Sequence, residues 1–378
     1  SVIIMMTNKS TDAGTNQAMT PIILAGGIVL ALAFGVRAMF GGVVEPLSNE
    51  LFGGRIDIFS FSIAIQNLVW GLAQPGFGII ADKFGDRRAL WLGFMCYVLG
   101  MLVCALSSTP LAQHLGAGVL VGMGISGTAF GTILAVVGRA APEEKRSYYL
   151  GITSAIGSSG QVMLPLLTSW LIEWFDWRIT LVIVTFTLVP MALCIPFLRV
   201  KVNLPIGSAE SVSMTHTIRN AFGHTSYTLL NIGFFVCGFH VAFITVHLPP
   251  YISDIGIAAK YAGYAIALIG LFNVIGSLGA GVLGQKYSKP LMLAWIYVLR
   301  SIAIAAFLLL PQTPLSLMVF SIVMGLLCLS TVGPTNALVA VMFGTRHLGF
   351  LAGLVVLSHQ VGSFLGVWLG GCLYDTLG

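Results

Sequence analysis

Eleven apolar runs, each near the length of helix that crosses a bilayer, limit what this sequence can fold into. A hydrocarbon core needs about 20 residues of helix, and a lone helix can span it because its backbone hydrogen bonds are satisfied internally. The runs fall at 21–44, 57–81, 89–107, 111–138, 148–172, 177–198, 227–247, 260–284, 290–310, 314–341 and 349–373. Only 8% of the 378 residues are charged, against about 25% in a soluble domain, so the chain cannot coat itself for water. A mean hydropathy of +0.95 agrees. Disordered tails, nucleic-acid binders and secreted disulfide scaffolds are excluded, and the chain reads as an all-α polytopic membrane protein.

The six cysteines, Cys96, Cys104, Cys194, Cys237, Cys328 and Cys372, lie inside apolar runs without CxxC or Cys/His spacing. They read as small packing residues, with no metal site and no cofactor. Ser1–Met6 is too short for a signal-peptide core, so no cleaved targeting segment is expected, and Met5 or Met6 is a candidate start.

Basic residues set the orientation. With the amino terminus inside, the inner loops hold Lys9, Lys83, Arg87, Arg88, Arg139, Lys145, Arg146, Arg199, Lys201, Arg219, Lys286, Lys289 and Arg346. The outer loops hold only Arg55, Arg178 and Lys260. The bias predicts a cytoplasmic amino terminus. The polar interval 199–226 reads as a flexible cytoplasmic linker between 1–198 and 227–378.

Those two parts repeat each other. Gly78 to Arg88 closes the second run, and Gly281 to Lys289 closes the eighth, 203 positions later. The same shift sets Gly35, Arg37, Phe40 and Pro46 over Gly238, His240, Phe243 and Pro249. A shift of 202 sets Gly151, Gly160 and Glu173 over Gly353, Gly362 and Asp375. A duplicated six-helix unit, with its halves facing a central site, is a transporter architecture.

The stretch Gly78 through Leu90 resembles the G-x-L-A-D-[RK]-x-G-x-[RK]-[RK]-x-L loop of the major facilitator superfamily, and the resemblance extends over the chain. It implies the major facilitator fold, two pseudo-symmetric six-helix halves, with eleven spans present and a twelfth expected after Gly378; the sixth span has no partner in the repeat. It also implies a conformational latch at Gly78, Asp82, Gly85 and Arg87 or Arg88, and peripheral places for spans three, six and nine. In the second copy Gln285 replaces the acid and Ser288 the glycine. The Arg37 segment, the stretch from His240 to Pro249 and the Gly370 to Asp375 ending resemble bacterial relatives of monocarboxylate transporters and oxalate/formate exchangers. Those relatives usually carry a charge in span eight, where this chain has Asn273. The implied setting is a monomer in a bacterial inner membrane, with no nucleic-acid partner.

Charges within the membrane point to the cargo. Arg37, His240, Arg300 and His359 lie deep in their runs, while all thirteen acids fall in loops or near helix ends. An ion at mid-bilayer costs at least about 2.5–3.5 kcal/mol on insertion scales, so it requires a partner or a use. Arginine stays protonated, and its planar fork matches a carboxylate. With no acid at that depth, the expected partner of Arg37 is an anionic substrate; a structural role, bonding to broken-helix carbonyls or snorkelling, is the alternative. His240, repeat-equivalent to Arg37, and His359 are candidate proton sites, each with a structural alternative. Arg300 is expected to pair with backbone or pack beside Tyr297, and His247 to be structural.

Neutral polar residues complete the candidate cavity. Asn67, Trp70 and Gln74 share one face of span two, with Gln161 in span five, Asn273 in span eight and Gln360 beside His359. The chain therefore reads as a secondary transporter of a small organic anion, coupled to protons by symport or to exchange by antiport. Efflux of hydrophobic or cationic compounds is the competing reading, and it predicts a cavity acid that the chain lacks. No Ser/His/Asp set, metal-ligand cluster or phosphate-binding glycine loop suggests an enzyme.

Overall fold

A computed structural model describes residues 18–200, 214–258 and 260–377. Eleven of its helices are long and apolar enough to cross a membrane, and no strand occurs among the described residues. They are α1 (Met19–Phe52), α2 (Ile56–Phe84), α3 (Asp86–Leu106), α4 (Pro110–Ala140), α5 (Arg146–Trp174) and α6 (Trp177–Phe197). After the linker come α7 (Thr225–Asp254), α8 (Lys260–Lys286), α9 (Lys289–Leu309), α10 (Pro314–Phe343) and α11 (Leu348–Leu377).

Helix ends follow local chemistry. Gly53 closes α1 in the left-handed conformation at φ 60°, and Gly85 at φ 97° turns the chain between α2 and α3 in a single residue. Both φ values disfavour side chains with a Cβ. Asp176 caps α6 by accepting from the Ile179 N–H, and Thr313 with Ser316 forms a reciprocal capping box at α10. The helices outrun the apolar stretches that announce them: α1 continues eight residues past 44 and includes Pro46. The interval 199–226 is not wholly irregular, because Met214–Gly223 is a short helix. Lys201, Pro205, Gly207 and Glu210 lie outside the described residues, as do Lys9 and Asp12.

Three spans are interrupted: α6 at Thr187 and Leu188, and α4 and α10 where the sequence reads as continuous. α4 leaves the helix at Ala129, whose backbone is extended at φ −101° and ψ −162°. α10 is interrupted at Leu329 to Thr331. The breaks of α4 and α10 stand about 202 positions apart, the shift of the internal repeat.

Glycine permits the closest packing. A Cβ on Gly160 of α5 would run into the Ala31 carbonyl of α1, and one on Gly362 of α11 would meet the Phe235 carbonyl of α7. These residues are again 202 apart, so the two helix pairs use one solution twice. Gly78 of α2 and Gly349 of α11 bring the amino-terminal and carboxy-terminal helices together, as do Gly151 of α5 and Gly281 of α8. Close backbone approach of this kind supplies the van der Waals contact that holds helices together in lipid. Leucines such as Leu72, Leu106, Leu166 and Leu193 remain outward-facing.

Candidate functional site

Arg37, half-buried in α1, is turned toward α2. Its Nη2 donates to Asn67 Oδ1 at 2.7 Å, and its guanidinium carbon stands 5.3 Å from the centre of the Trp70 ring. Asn67 is fixed in turn by donating Nδ2 to the Ile63 carbonyl at 3.0 Å. Trp70 is held by Phe34, edge-on at 5.6 Å, and by its own Nε1 donating to Gln74 Oε1 at 3.1 Å. Arg37 Nε is buried without a hydrogen-bond partner. Among the described residues no carboxylate comes within ion-pair distance of Arg37.

The site continues across to α11. Gln360 Nε2 donates to the Asn67 carbonyl at 3.2 Å, and Gln360 packs against Gly71, whose missing side chain makes the room. Its Oε1 lies 3.0 Å from His359 Nδ1, and the His359 ring rests 4.7 Å from that of Phe234 on α7. Arg37, Asn67, Trp70, Gln360 and His359 thus form one continuous polar group. Gln161 and His240 have no hydrogen bond to it among the described residues. Each is half-buried and keeps an unpartnered nitrogen, Nε2 of Gln161 and Nδ1 of His240.

Several polar residues of the interior serve the broken helices. Gln74 Nε2 donates to the Ser126 carbonyl at 3.0 Å and to Thr132 Oγ1 at 3.2 Å, bridging the break of α4. Asn273 Oδ1 accepts from the Leu329 N–H at 2.9 Å, which puts it at the break of α10. Arg300 of α9 is wholly buried and spends Nη2 on the Leu327 and Cys328 carbonyls, at 2.6 and 2.8 Å, with Tyr297 beneath it at 5.5 Å. These carbonyls end the first segment of α10, and a cation at a helix carboxy terminus opposes its partial negative charge. His247 bonds the Val367 carbonyl at 3.1 Å near the end of α7.

The loop after α2 is organised differently from the resemblance. Asp82 accepts from the Gly349 and Phe350 N–H groups at 3.0 and 2.8 Å, at the amino terminus of α11. Its cationic partner is Arg139 of α4, at 2.8 Å, and the same guanidinium binds Asp86. Arg87 and Arg88 are exposed and line an open depression of about 410 Å³ with Trp91 and Arg199. Arg139 lies 57 positions from Asp82, and nothing local to the loop announces it; the only sequence signal is its place as the lone base closing α4. Gly78 is required where α2 meets the backbone of Gly349.

Comparison with known proteins bears on the family and the fold. The profile of the Major Facilitator Superfamily matches residues 26–367. An uncharacterized MFS-type transporter of Bacillus subtilis, YcxA, is 24% identical over 96% of this chain and 90% of its own length. Monocarboxylate transporter 13 of Bos taurus is 25% identical over 94% of this chain and 83% of its own. Among solved structures, the proton:xylose symporter XylE superposes with a TM-score of 0.69 at 16% identity, covering 95% of this chain and 89% of that one. The E. coli fucose:proton symporter FucP gives 0.70 at 12% identity, covering 95% and 92%. At such identities the structures speak for the fold.

Proposed function

The chain belongs to the major facilitator superfamily, and on that premise we propose that it is a secondary transporter of a small organic anion, a monocarboxylate, that works by alternating access. One observation carries the proposal: Arg37 is fixed by Asn67 and Trp70 within the helix assembly, yet meets no carboxylate among the described residues. A guanidinium offers five N–H donors in a plane, and a carboxylate takes two in parallel. Asn67 occupies one nitrogen and leaves the fork's remaining edge for cargo. The likeness to monocarboxylate transporters supports the same class of substrate.

Residues 1–198 and 227–378 are the two moving halves, and Arg37, Asn67 and Trp70 of the first meet His359 and Gln360 of the second at the substrate site. Gln161, His240 and Asn273 complete the wall when the halves part. His359 takes the coupled proton, with His240 as the second candidate. Asp82, held by Arg139 and by the start of α11, is the latch that keeps the halves closed on the cytoplasmic side. A mutual hold between α2 and α11 is suited to that task because it is made and broken as a unit. The protein acts as a monomer in the inner membrane.

Uptake of radiolabelled short carboxylates into proteoliposomes, with and without an inward proton gradient, tests the proposal. Saturable uptake that rises with the gradient, and collapses in Arg37→Gln, is the expected result. Equal uptake of every accumulated anion by wild type and Arg37→Gln removes the clamp. Extrusion of cationic dyes without carboxylate flux replaces the proposal with the exporter reading.

A further inference from the structure

Arg300 presents a charge-balance problem that the Arg37 site does not solve. It is entirely buried, two of its nitrogens, Nε and Nη1, have no hydrogen-bond partner, and no carboxylate reaches it among the described residues. A buried guanidinium without a counter-charge is strongly unfavourable in so apolar a setting. Carbonyl dipoles of Leu327 and Cys328 offset part of the cost, but they carry no net charge.

The side chain placed to supply that charge is Cys237 of α7. As a thiol its Sγ donates to the Cys328 carbonyl at 3.8 Å, the oxygen that also accepts from Arg300 Nη2 at 2.8 Å, and it lies 3.3 Å from Thr331 Oγ1 at the break of α10, a contact in which either group can donate. His359 of α11 packs against the adjoining Gly238, so closely that a Cβ there would stand 3.0 Å from the imidazole Cγ. Cys237 therefore sits among a fixed cation, a hydroxyl that can donate to a thiolate, and an imidazole. The titratable or charged groups around it are His240 on its own helix, Tyr297 and Arg300 of α9, Cys328 of α10 and His359 of α11. Among the described residues α8 adds none, since its contribution at this break is the amide of Asn273.

We propose that Cys237, His359 and Arg300 form the proton-binding unit of the transporter, with the Cys237 thiolate as the counter-anion of Arg300. The inference rests on the proton-coupled reading above and extends it. Proton transfer breaks the S–H bond of Cys237 and forms an N–H bond on the His359 nitrogen that Gln360 leaves free. In this form thiolate, imidazolium and guanidinium together carry a single positive charge. Loss of the imidazole proton to water leaves thiolate and guanidinium, which cancel. The unit thus alternates between one positive charge and none, and the neutral form is the one that an empty carrier reorients most easily. Gln360 joins His359 to the carbonyl of Asn67, whose side chain holds Arg37, so the proton site and the anion clamp share one chain of hydrogen bonds. Thr331 and Arg300 tie the same unit to the break of α10.

The S–H stretching band in infrared spectra of the full chain in lipid nanodiscs reads the thiol directly. The difference between wild type and Cys237→Ala is expected to show no S–H band from Cys237 near neutral pH, and Arg300→Gln is expected to restore one. An S–H band from Cys237 in wild type overturns the proposal, whatever the protein carries. Uptake supplies the second arm: Cys237→Ser is expected to lose most of the stimulation by an inward proton gradient. Full stimulation in Cys237→Ser, beside a wild type that transports, also overturns it. If no carboxylate is transported at all, the infrared result still decides whether Cys237 is ionised against Arg300.

Discussion

At the scale of single residues, the functional argument turns on how many donors a guanidinium can satisfy at home. Arg37 satisfies one nitrogen on Asn67, stacks near Trp70 and leaves Nε with nothing. Arg300 satisfies one nitrogen on two carbonyls and leaves the other two. Hydrogen bonds to charged groups contribute about 1.5–3 kcal/mol each, so Arg37→Gln is expected to weaken apparent carboxylate affinity by roughly 10- to 150-fold. Arg37→Lys keeps the charge but loses the planar fork, and should fall between the two in concentration-dependent uptake. Equal apparent affinity for Arg37→Lys and wild type would show that charge alone suffices. The depth of Arg37 and the lack of nearby acids were legible in the sequence. The shared helical face of Asn67 and Trp70 was legible too, but not that they hold Arg37, which depends on how α1 packs on α2. The link through Gln360 was not, because it depends on which faces of α2 and α11 meet, and Gly71 makes the room for Gln360 there.

At the scale of elements, the broken helices separate what sequence patterns carry from what packing decides. Run 111–138 is apolar with glycines spread along it, and run 314–341 is apolar on both sides of Gly333-Pro334, so periodicity alone does not show where either helix breaks. The freed backbone groups are met by side chains from other helices: Gln74 at α4, Asn273 and Arg300 at α10. Such partners lie 27 to 56 positions away and are invisible to any local rule. Asn273→Ala leaves the Leu329 N–H unsatisfied, an expected loss of about 1–3 kcal/mol measurable as a lowered midpoint of thermal unfolding in nanodiscs. The Asp82, Arg139 and Asp86 cluster, the proposed latch, makes the same point with charges. Removing Arg139, which is 5% exposed, strands Asp82 and Asp86 as buried acids. Arg139→Gln should therefore cost about 3–5 kcal/mol, whereas Arg87→Gln on the exposed side of the loop should stay within about 0.5 kcal/mol. A comparable loss for both would mean that the resemblance, and not the observed pairing, names the right cation.

At the scale of the whole molecule, duplication explains both the regularities and the exceptions. Gly160 and Gly362 occupy equivalent places where a helix pair closes, and the breaks of α4 and α10 recur at the same interval, as sterics and backbone satisfaction impose the same demands on each copy. Charges depart from the symmetry: the Asp82 of one copy is Gln285 in the other, and the deep Arg37 of one is His240 in the other. Packing is kept in both copies, while the proposed transport of an anion with a proton calls for one clamp and one proton site. On the proposed function the Asp82 latch faces the cytoplasm. The excess of basic residues in alternate loops predicts that orientation, because Lys and Arg segments resist translocation. Arg87 and Arg55 are both exposed and lie on opposite sides in this scheme. Labelling of Arg87→Cys and Arg55→Cys with a membrane-impermeant maleimide in intact cells and in inverted vesicles tests it. Arg55→Cys should react from outside and Arg87→Cys only in inverted vesicles. The opposite pattern would invert the membrane topology and place the Asp82 latch on the outer face, so that the closed contact between α2 and α11 would bar entry from outside rather than exit to the cytoplasm.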